Sequence, residues 1–180
     1  MGKGGAEIVT EIKHFSHQHD LKLTDEIPNN TKCNECVQFI LSPFYSCIQC
    51  NFFPHTSCTK LPKIKQHPLH SHLLTLNYQE ASFFSGTAGQ LCNGLRNSCQ
   101  ECNSNYNIPC ISLSDPLTLA CHEHHLYLSK TNSQQKCSNC NSKNFKVFYC
   151  LTCEFVLDLK CATLPQTTWY NQHEHPFTLC

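Results

Sequence analysis

Residues 14–62 read HFSHQHDLKLTDEIPNNTKCNECVQFILSPFYSCIQCNFFPHTSCTKLP, and this stretch decides the fold. It opens on a His-x-His pair, His17 and His19, followed by the alternating run Leu21-Lys22-Leu23. Alternation at period two suits a strand with one buried face. The polar turn EIPNNT follows, whose Pro28 and paired asparagines are loop chemistry. Next come two knuckles separated by ten residues, Cys33-x2-Cys36 and Cys47-x2-Cys50, then His55 and Cys58, and Leu61-Pro62 closes the stretch.

The same plan recurs. His-x-His pairs stand at His17/His19, His70/His72, His122/His124 and His173/His175, spaced 53, 52 and 51 residues apart. A fixed period near fifty residues is the signature of a repeat architecture. The third repeat matches the first almost position by position: Leu126 and Leu128, knuckles Cys137-x2-Cys140 and Cys150-x2-Cys153, then Asp158, Cys161 and Leu164-Pro165. Tyr45 and Phe148 precede the second knuckle by two places, and Phe52 and Phe155 follow it by two, which suits a small core between sites. The second repeat keeps Cys99-x2-Cys102 and Cys110 but has Ser85 and Ala88 where its first knuckle belongs, and Asn107 at the His55 place. Cys92 lies off register, and one metal site of this repeat is expected to be lost.

The 180 residues include 16 cysteines and 12 histidines, and 13 basic residues balance 13 acidic ones. Cysteine at this density marks a disulfide or a metal scaffold. The N-terminus has no apolar signal region, and Ala6 breaks the myristoylation pattern. No stretch approaches the roughly 18 apolar residues of a membrane span. An intracellular protein, in cytoplasm or nucleus, is the expectation, and there disulfides are disfavoured. A repeat of about fifty residues buries too little to stand alone and needs a staple. Cys-x2-Cys holds two thiolates on one tight turn, spaced for a tetrahedral zinc ion. The regular abundance of histidine speaks against iron–sulfur ligation.

The pattern His-x-His-x-Leu-x-Leu, Cys-x2-Cys, Tyr-x-Cys-x2-Cys-x-Phe and Leu-[His/Asp]-x2-Cys-x2-Leu-Pro, strong in repeats one and three and partial in repeat two, resembles the plant divergent C1 domain. That family is a cysteine/histidine-rich relative of the diacylglycerol-binding C1 zinc finger. The resemblance covers about residues 14–180. It implies a small zinc-stabilised fold of β-ribbons and loops, as tandem C1-like repeats with little helix beyond a turn near each trailing cysteine. The expected organisation is a flexible leader (1–13), three repeats (14–66, 67–119 and 120–172) and the start of a truncated fourth (173–180).

The resemblance also implies two interleaved sites per repeat. In the first, Cys33, Cys36, His55 and Cys58 form one set, and His19, Cys47, Cys50 and a late fourth ligand form the other. His70 is preferred to His67 for that place, because the same offset gives His122 and His173 later on. The second repeat then keeps His72, Cys99, Cys102 and His122. The third has Cys137, Cys140, Asp158 and Cys161, with His124, Cys150, Cys153 and His173. About five structural Zn2+ ions are expected. Each His-x-His pair thus becomes a hinge, one histidine closing the finger behind and the other opening the finger ahead. Asp158 is either a carboxylate ligand or a solvated group beside a ligating water. His14, His17, His67, His125 and His175 remain as surface or supporting residues, and Cys92, Cys121 and Cys180 have no assigned role.

For function, a non-catalytic module binding a protein partner in intracellular signalling or stress response is expected. The alternatives are a diacylglycerol or lipid sensor, for which Phe39, Ile40, Leu41 and Phe44 supply an apolar loop, and a protein-disulfide reductase. The lipid reading lacks the Gly- and Gln-bearing groove pattern of C1 fingers. The reductase reading lacks a helix after any Cys-x2-Cys. Nucleic-acid binding is not expected, since there is one arginine, Arg96, and no basic stripe.

Overall fold

The computed structural model describes residues 9–26, 31–86 and 89–164, together with the backbone of two short strands at 167–168 and 177–178. The strands in chain order are β1 (Glu11–Ile12), β2 (Leu21–Thr24), β3 (Phe44–Ser46), β4 (Ile64–His67), β5 (His70–Ser85), β6 (Gln90–Ser98) and β7 (Asn105–Asn107). They continue as β8 (Leu117–Leu119), β9 (His122–Lys136), β10 (Lys143–Cys150), β11 (Val156–Asp158), β12 (Thr167–Thr168) and β13 (Phe177–Thr178). Two one-turn helices, α1 (Ile108–Ile111) and α2 (Leu159–Ala162), carry Cys110 and Cys161. A 3-10 turn at Cys58–Lys60 holds the same place in the first repeat. Strand-rich units with little helix are what the sequence led us to expect.

The antiparallel sheets are β1-β2-β3, β4-β5-β6-β7 and β8-β9-β10-β11, with β12 paired to β13. Each of the first three begins a few residues ahead of the repeat bounds read from the sequence, since β4 starts at Ile64 and β8 at Leu117. In the second and third repeats the strand ahead of the His-x-His pair folds back on the strand that carries it. Ile64 pairs with Thr75, and Leu117 with Leu126. The first repeat does the same with Glu11 and Ile12, which pair with Lys22 and Leu21. The leader therefore contributes a strand, because Ile12 packs beside Leu21, Tyr45 and Phe52.

Four of the five knuckles share a turn device. The residue after the second cysteine takes a left-handed backbone at Val37 (φ 64°), Asn51 (φ 50°), Asn103 (φ 51°) and Asn141 (φ 61°). Asparagine tolerates that region, whereas β-branched valine is strained there.

Neighbouring repeats dock through buried groups. Leu61 and Cys36 of the first repeat pack against the core of the second, around Leu74, Leu76 and Leu95. Leu69, Cys110 and Leu113 join the core of the third, around Leu126 and Phe148. Glu35, inside the first knuckle, is fully buried and accepts from Ser16 Oγ at 2.7 Å, with His14 Nδ1 at 3.1 Å. Its main-chain carbonyl accepts from Leu95 N–H at 3.0 Å. The contact is close enough that a Cβ on Gly94 would lie 2.7 Å from the Asn34 carbonyl oxygen and 2.8 Å from that of Glu35. Further on, Lys65 Nζ donates to the Ile111 carbonyl at 2.6 Å, and Lys146 Nζ donates to that of Leu69 at 2.8 Å.

Candidate metal centres

Among the described residues, five groups of four side chains bring their donor atoms within 4.8 Å of one another. Two contain a first knuckle: Cys33, Cys36, His55 and Cys58, and Cys137, Cys140, Asp158 and Cys161. Three contain a second knuckle with both histidines of one pair: His17, His19, Cys47 and Cys50; His70, His72, Cys99 and Cys102; His122, His124, Cys150 and Cys153.

In the first group, the Cys33 and Cys58 sulfurs lie 3.8 Å apart, and His55 Nδ1 stands 3.3 Å from Cys36 and 3.8 Å from Cys58. His55 Nε2–H donates to the Phe39 carbonyl at 2.9 Å. That bond fixes the tautomer and turns the Nδ1 lone pair towards the three sulfurs, the usual support for a ligating imidazole. Hydrogen bonds from Cys36 and then Cys58 pull the Cys33 thiol far below its ordinary value. Facing first Cys33 and then Cys36, His55 is pushed up to about 10. One thiolate, at Cys33, is thus favoured beside the imidazole, while its hydrogen bond and then that of Cys36 push the Cys58 thiol well above its ordinary value.

Asp158 takes the histidine's place in the third repeat. It is buried, so the reading of it as a solvated group does not hold. Oδ1 caps α2 by accepting from the Cys161 amide at 2.7 Å, while Oδ2 faces Cys140 Sγ at 3.0 Å and also accepts from Ser142 Oγ. Burial raises this carboxyl, but the hydrogen bonds from Ser142, Cys140 and Cys161 outweigh it and hold it below the ordinary value.

The three remaining groups share a geometry. The second histidine of the pair uses Nδ1: His19 Nδ1 lies 3.2 Å from Cys50 Sγ and His72 Nδ1 lies 3.6 Å from Cys99 Sγ. The first uses Nε2: His70 Nε2 lies 3.2 Å from Cys102 Sγ and His122 Nε2 lies 3.8 Å from Cys153 Sγ. His17 Nε2 is buried and, among the described residues, makes no hydrogen bond. A buried imidazole nitrogen without a partner fits a metal ligand. The outer nitrogens of two rings are supported, His70 Nδ1 by Tyr106 Oη at 3.0 Å and His72 Nε2 by Glu101 at 3.6 Å.

This geometry corrects the hinge. His70 joins His72, Cys99 and Cys102 rather than His19, Cys47 and Cys50, and His122 joins His124, Cys150 and Cys153 rather than the second repeat. His17, left aside in the sequence, completes the first set. The reason is local for two of the pairs: His70/His72 open β5 and His122/His124 open β9, where residues two apart point to the same side of the strand, while His17 and His19 lie in the loop just ahead of β2. The rings of each pair lie edge to face, with centroids 5.4, 5.2 and 5.8 Å apart. His173 and His175 lie outside the described residues. Nineteen of the twenty residues expected from the sequence fall in the five groups, with His17 as the addition. Of the histidines expected to be surface or supporting residues, His14 pairs with Glu35 and His67 is buried against Leu113. His125 is exposed and bonds Thr118.

The damaged site of the second repeat retains its shape. Ser85 Oγ donates to Cys110 Sγ at 3.6 Å, and Asn107 N–H donates to Ser85 Oγ at 3.4 Å. Asn107 Oδ1 caps α1 at the Cys110 amide, 3.1 Å away, while its Nδ2 donates to Cys92 Sγ at 3.2 Å. Cys92, off register in sequence, therefore arrives in place from β6. A register shift between Gln79 and Phe83 carries it there, opposite Phe83. Ala88 lies outside the described residues.

Residues 15–59 match the family model of the C1 domain. No curated protein and no solved structure matches the chain.

Proposed function

From a chain whose residues 15–59 are a C1 domain, we propose a non-catalytic, zinc-stapled interaction module that presents its repeats to a protein partner in intracellular signalling or stress response. The observation that carries the zinc reading is the set of five four-donor groups in matching places. Their donors are two thiolates with two imidazoles, three thiolates with one imidazole, and three thiolates with one carboxylate. Such sets suit a closed tetrahedral structural zinc site. Zinc would supply folding energy on the order of 10–16 kcal/mol at such a site, comparable to the whole net stability of a domain. Every donor place in these groups is a protein side chain, which speaks for structure rather than hydrolysis.

Elemental analysis of purified full chain tests the reading. About five zinc ions per chain are expected; about three or fewer would contradict it. Among the described residues no helix is long and apolar enough to cross a membrane.

The lipid reading has one observation in its favour. Phe39 and Leu41 are 58% and 72% exposed on the first inter-knuckle loop, with Lys32 Nζ 5.5 Å from the Phe39 ring centroid. Co-sedimentation with vesicles containing diacylglycerol and anionic lipid separates the two, and binding lost in Phe39→Ser/Leu41→Ser would favour the lipid.

A further inference from the structure

We propose that Cys92 and Cys110 form an oxidisable thiol pair, a disulfide site built where the second repeat lacks its second four-donor metal centre. The inference rests on the zinc reading only in taking the twelve cluster cysteines to be masked by metal.

The contacts at this place repeat those of the two intact centres. The main-chain amides of His55 and Asp158 donate to Cys33 and Cys137 sulfur at 3.4 Å, as that of Asn107 donates to Ser85 Oγ at 3.4 Å. The Cys33–Cys58 sulfur separation of 3.8 Å corresponds to the Ser85–Cys110 distance of 3.6 Å. Cys36 stands 3.3 Å from His55 Nδ1 and Cys140 stands 3.0 Å from Asp158 Oδ2, where Cys92 stands 3.2 Å from Asn107 Nδ2. Cys92 and Cys110 thus hold the positions of Cys36 with Cys58 and of Cys140 with Cys161, pairs whose sulfurs lie within 4.8 Å of each other.

The donor chemistry differs from those centres. Asn107 faces the cavity with an amide nitrogen, which has no lone pair to offer an ion. Ser85 offers a neutral hydroxyl that already donates to Cys110. Two thiols with these two neighbours fall short of the ligand set of a structural zinc site. What remains is a pair of sulfurs converging on one asparagine, from β6 and from α1. A disulfide between them would join the elements that metal joins in the other repeats.

Access orders the chemistry. Cys92 is partly exposed, while Cys110 is fully buried. With a hydroperoxide as oxidant, the Cys92 thiolate attacks the O–O bond, which breaks to give the sulfenic acid and, for hydrogen peroxide, water. The Cys110 sulfur then attacks the Cys92 sulfur, the S–O bond breaks, and hydroxide leaves as a second water after taking the Cys110 proton. Two thiols are oxidised, and one peroxide is reduced to two waters. Burial raises the Cys92 thiol and the Asn107 amide works against that shift, so the first step should quicken above neutral pH.

The test treats zinc-loaded full chain with a few equivalents of hydrogen peroxide, alkylates the remaining thiols, and maps the peptides while a chromophoric chelator follows released zinc. The expected result is a Cys92–Cys110 cross-linked peptide that forms before zinc is released. It should be absent in Cys92→Ser, whose Cys110 is recovered alkylated after denaturation. Recovery of both residues as thiols while zinc is released would overturn the proposal, as would pairing of Cys92 with Cys121. If Cys92→Ser does not fold, the wild-type map with and without reductant decides. Absence of zinc before oxidation would refute the zinc reading, while the peptide map would still decide the thiol pair.

Discussion

The imidazole of His17 lies flat on the ring of Phe52, with centroids 4.5 Å apart and planes 5° from parallel. His122 stacks on Phe155 in the same way, at 4.6 Å and 21°. The aromatic residue after each of these knuckles is thus a platform that seats the first histidine of the pair over its own site.

His17→Ala should therefore remove one metal and expose β1, β2 and β3, leaving the other sheets protected. His70→Ala should do the same to the second sheet alone, since its ring lies with His72, Cys99 and Cys102. Hydrogen exchange read by peptide checks both. Loss of protection at Cys47 and Cys50 in His70→Ala would restore the hinge.

Gly94→Ala should separate the first two repeats. Gly94 has φ +85°, and an added methyl would meet two carbonyl oxygens under 3.0 Å away. The left-handed backbone alone costs an L-residue about 1–2 kcal/mol, and the clash adds to it. The expected loss is about 2 kcal/mol or more, measured by chemical denaturation, with faster exchange at the Leu95 amide.

Val37→Asn should stabilise the first repeat. Asn51, Asn103 and Asn141 occupy the same left-handed position after their knuckles, and Val37 is the β-branched exception. Relief of about 1 kcal/mol is expected, seen as a higher denaturation midpoint with an unchanged metal count.

His67 should weaken the fold in mild acid. Its Nε2–H donates to the Leu113 carbonyl at 3.0 Å, and its Nδ1 accepts from Leu69 N–H at 3.3 Å. Burial, helped by nearby Lys65, lowers its pKa below the ordinary 6.5. The unfolded chain then binds the proton first, so this contribution is complete above pH 6.5 and is lost as pH falls through the folded value. NMR titration should find His67 as the neutral Nε2–H tautomer at pH 7 with a midpoint below 6.5; a midpoint above it would contradict the reading. Acid also releases metal by protonating its ligands, so the ring signal itself, rather than global unfolding, is the test.

The repeat, the knuckles and the single turn at each trailing cysteine were legible because spacing and ligand chemistry are local. The partner of each histidine was not. A period near fifty lets His70 serve the knuckle behind it or the one ahead equally well in sequence, and only the shared face of one strand decides. Cys92 was hidden by the irregular pairing of β5 with β6, which moves a residue across the hairpin without leaving a mark in the spacing. The docking of repeats through Glu35, Gly94, Lys65 and Lys146 joins residues far apart in the chain, and no local pattern announces it.

The most direct measurement is cadmium-113 NMR of the cadmium-substituted full chain, with proton correlation to the ligands. Five resonances are expected in three classes: three from two-sulfur, two-nitrogen sites, one from a three-sulfur, one-nitrogen site, and one from a three-sulfur, one-oxygen site. The ion coupled to Cys47 and Cys50 should couple to both His17 and His19. Coupling of that ion to His70, or the absence of the three-sulfur pair, would contradict the account.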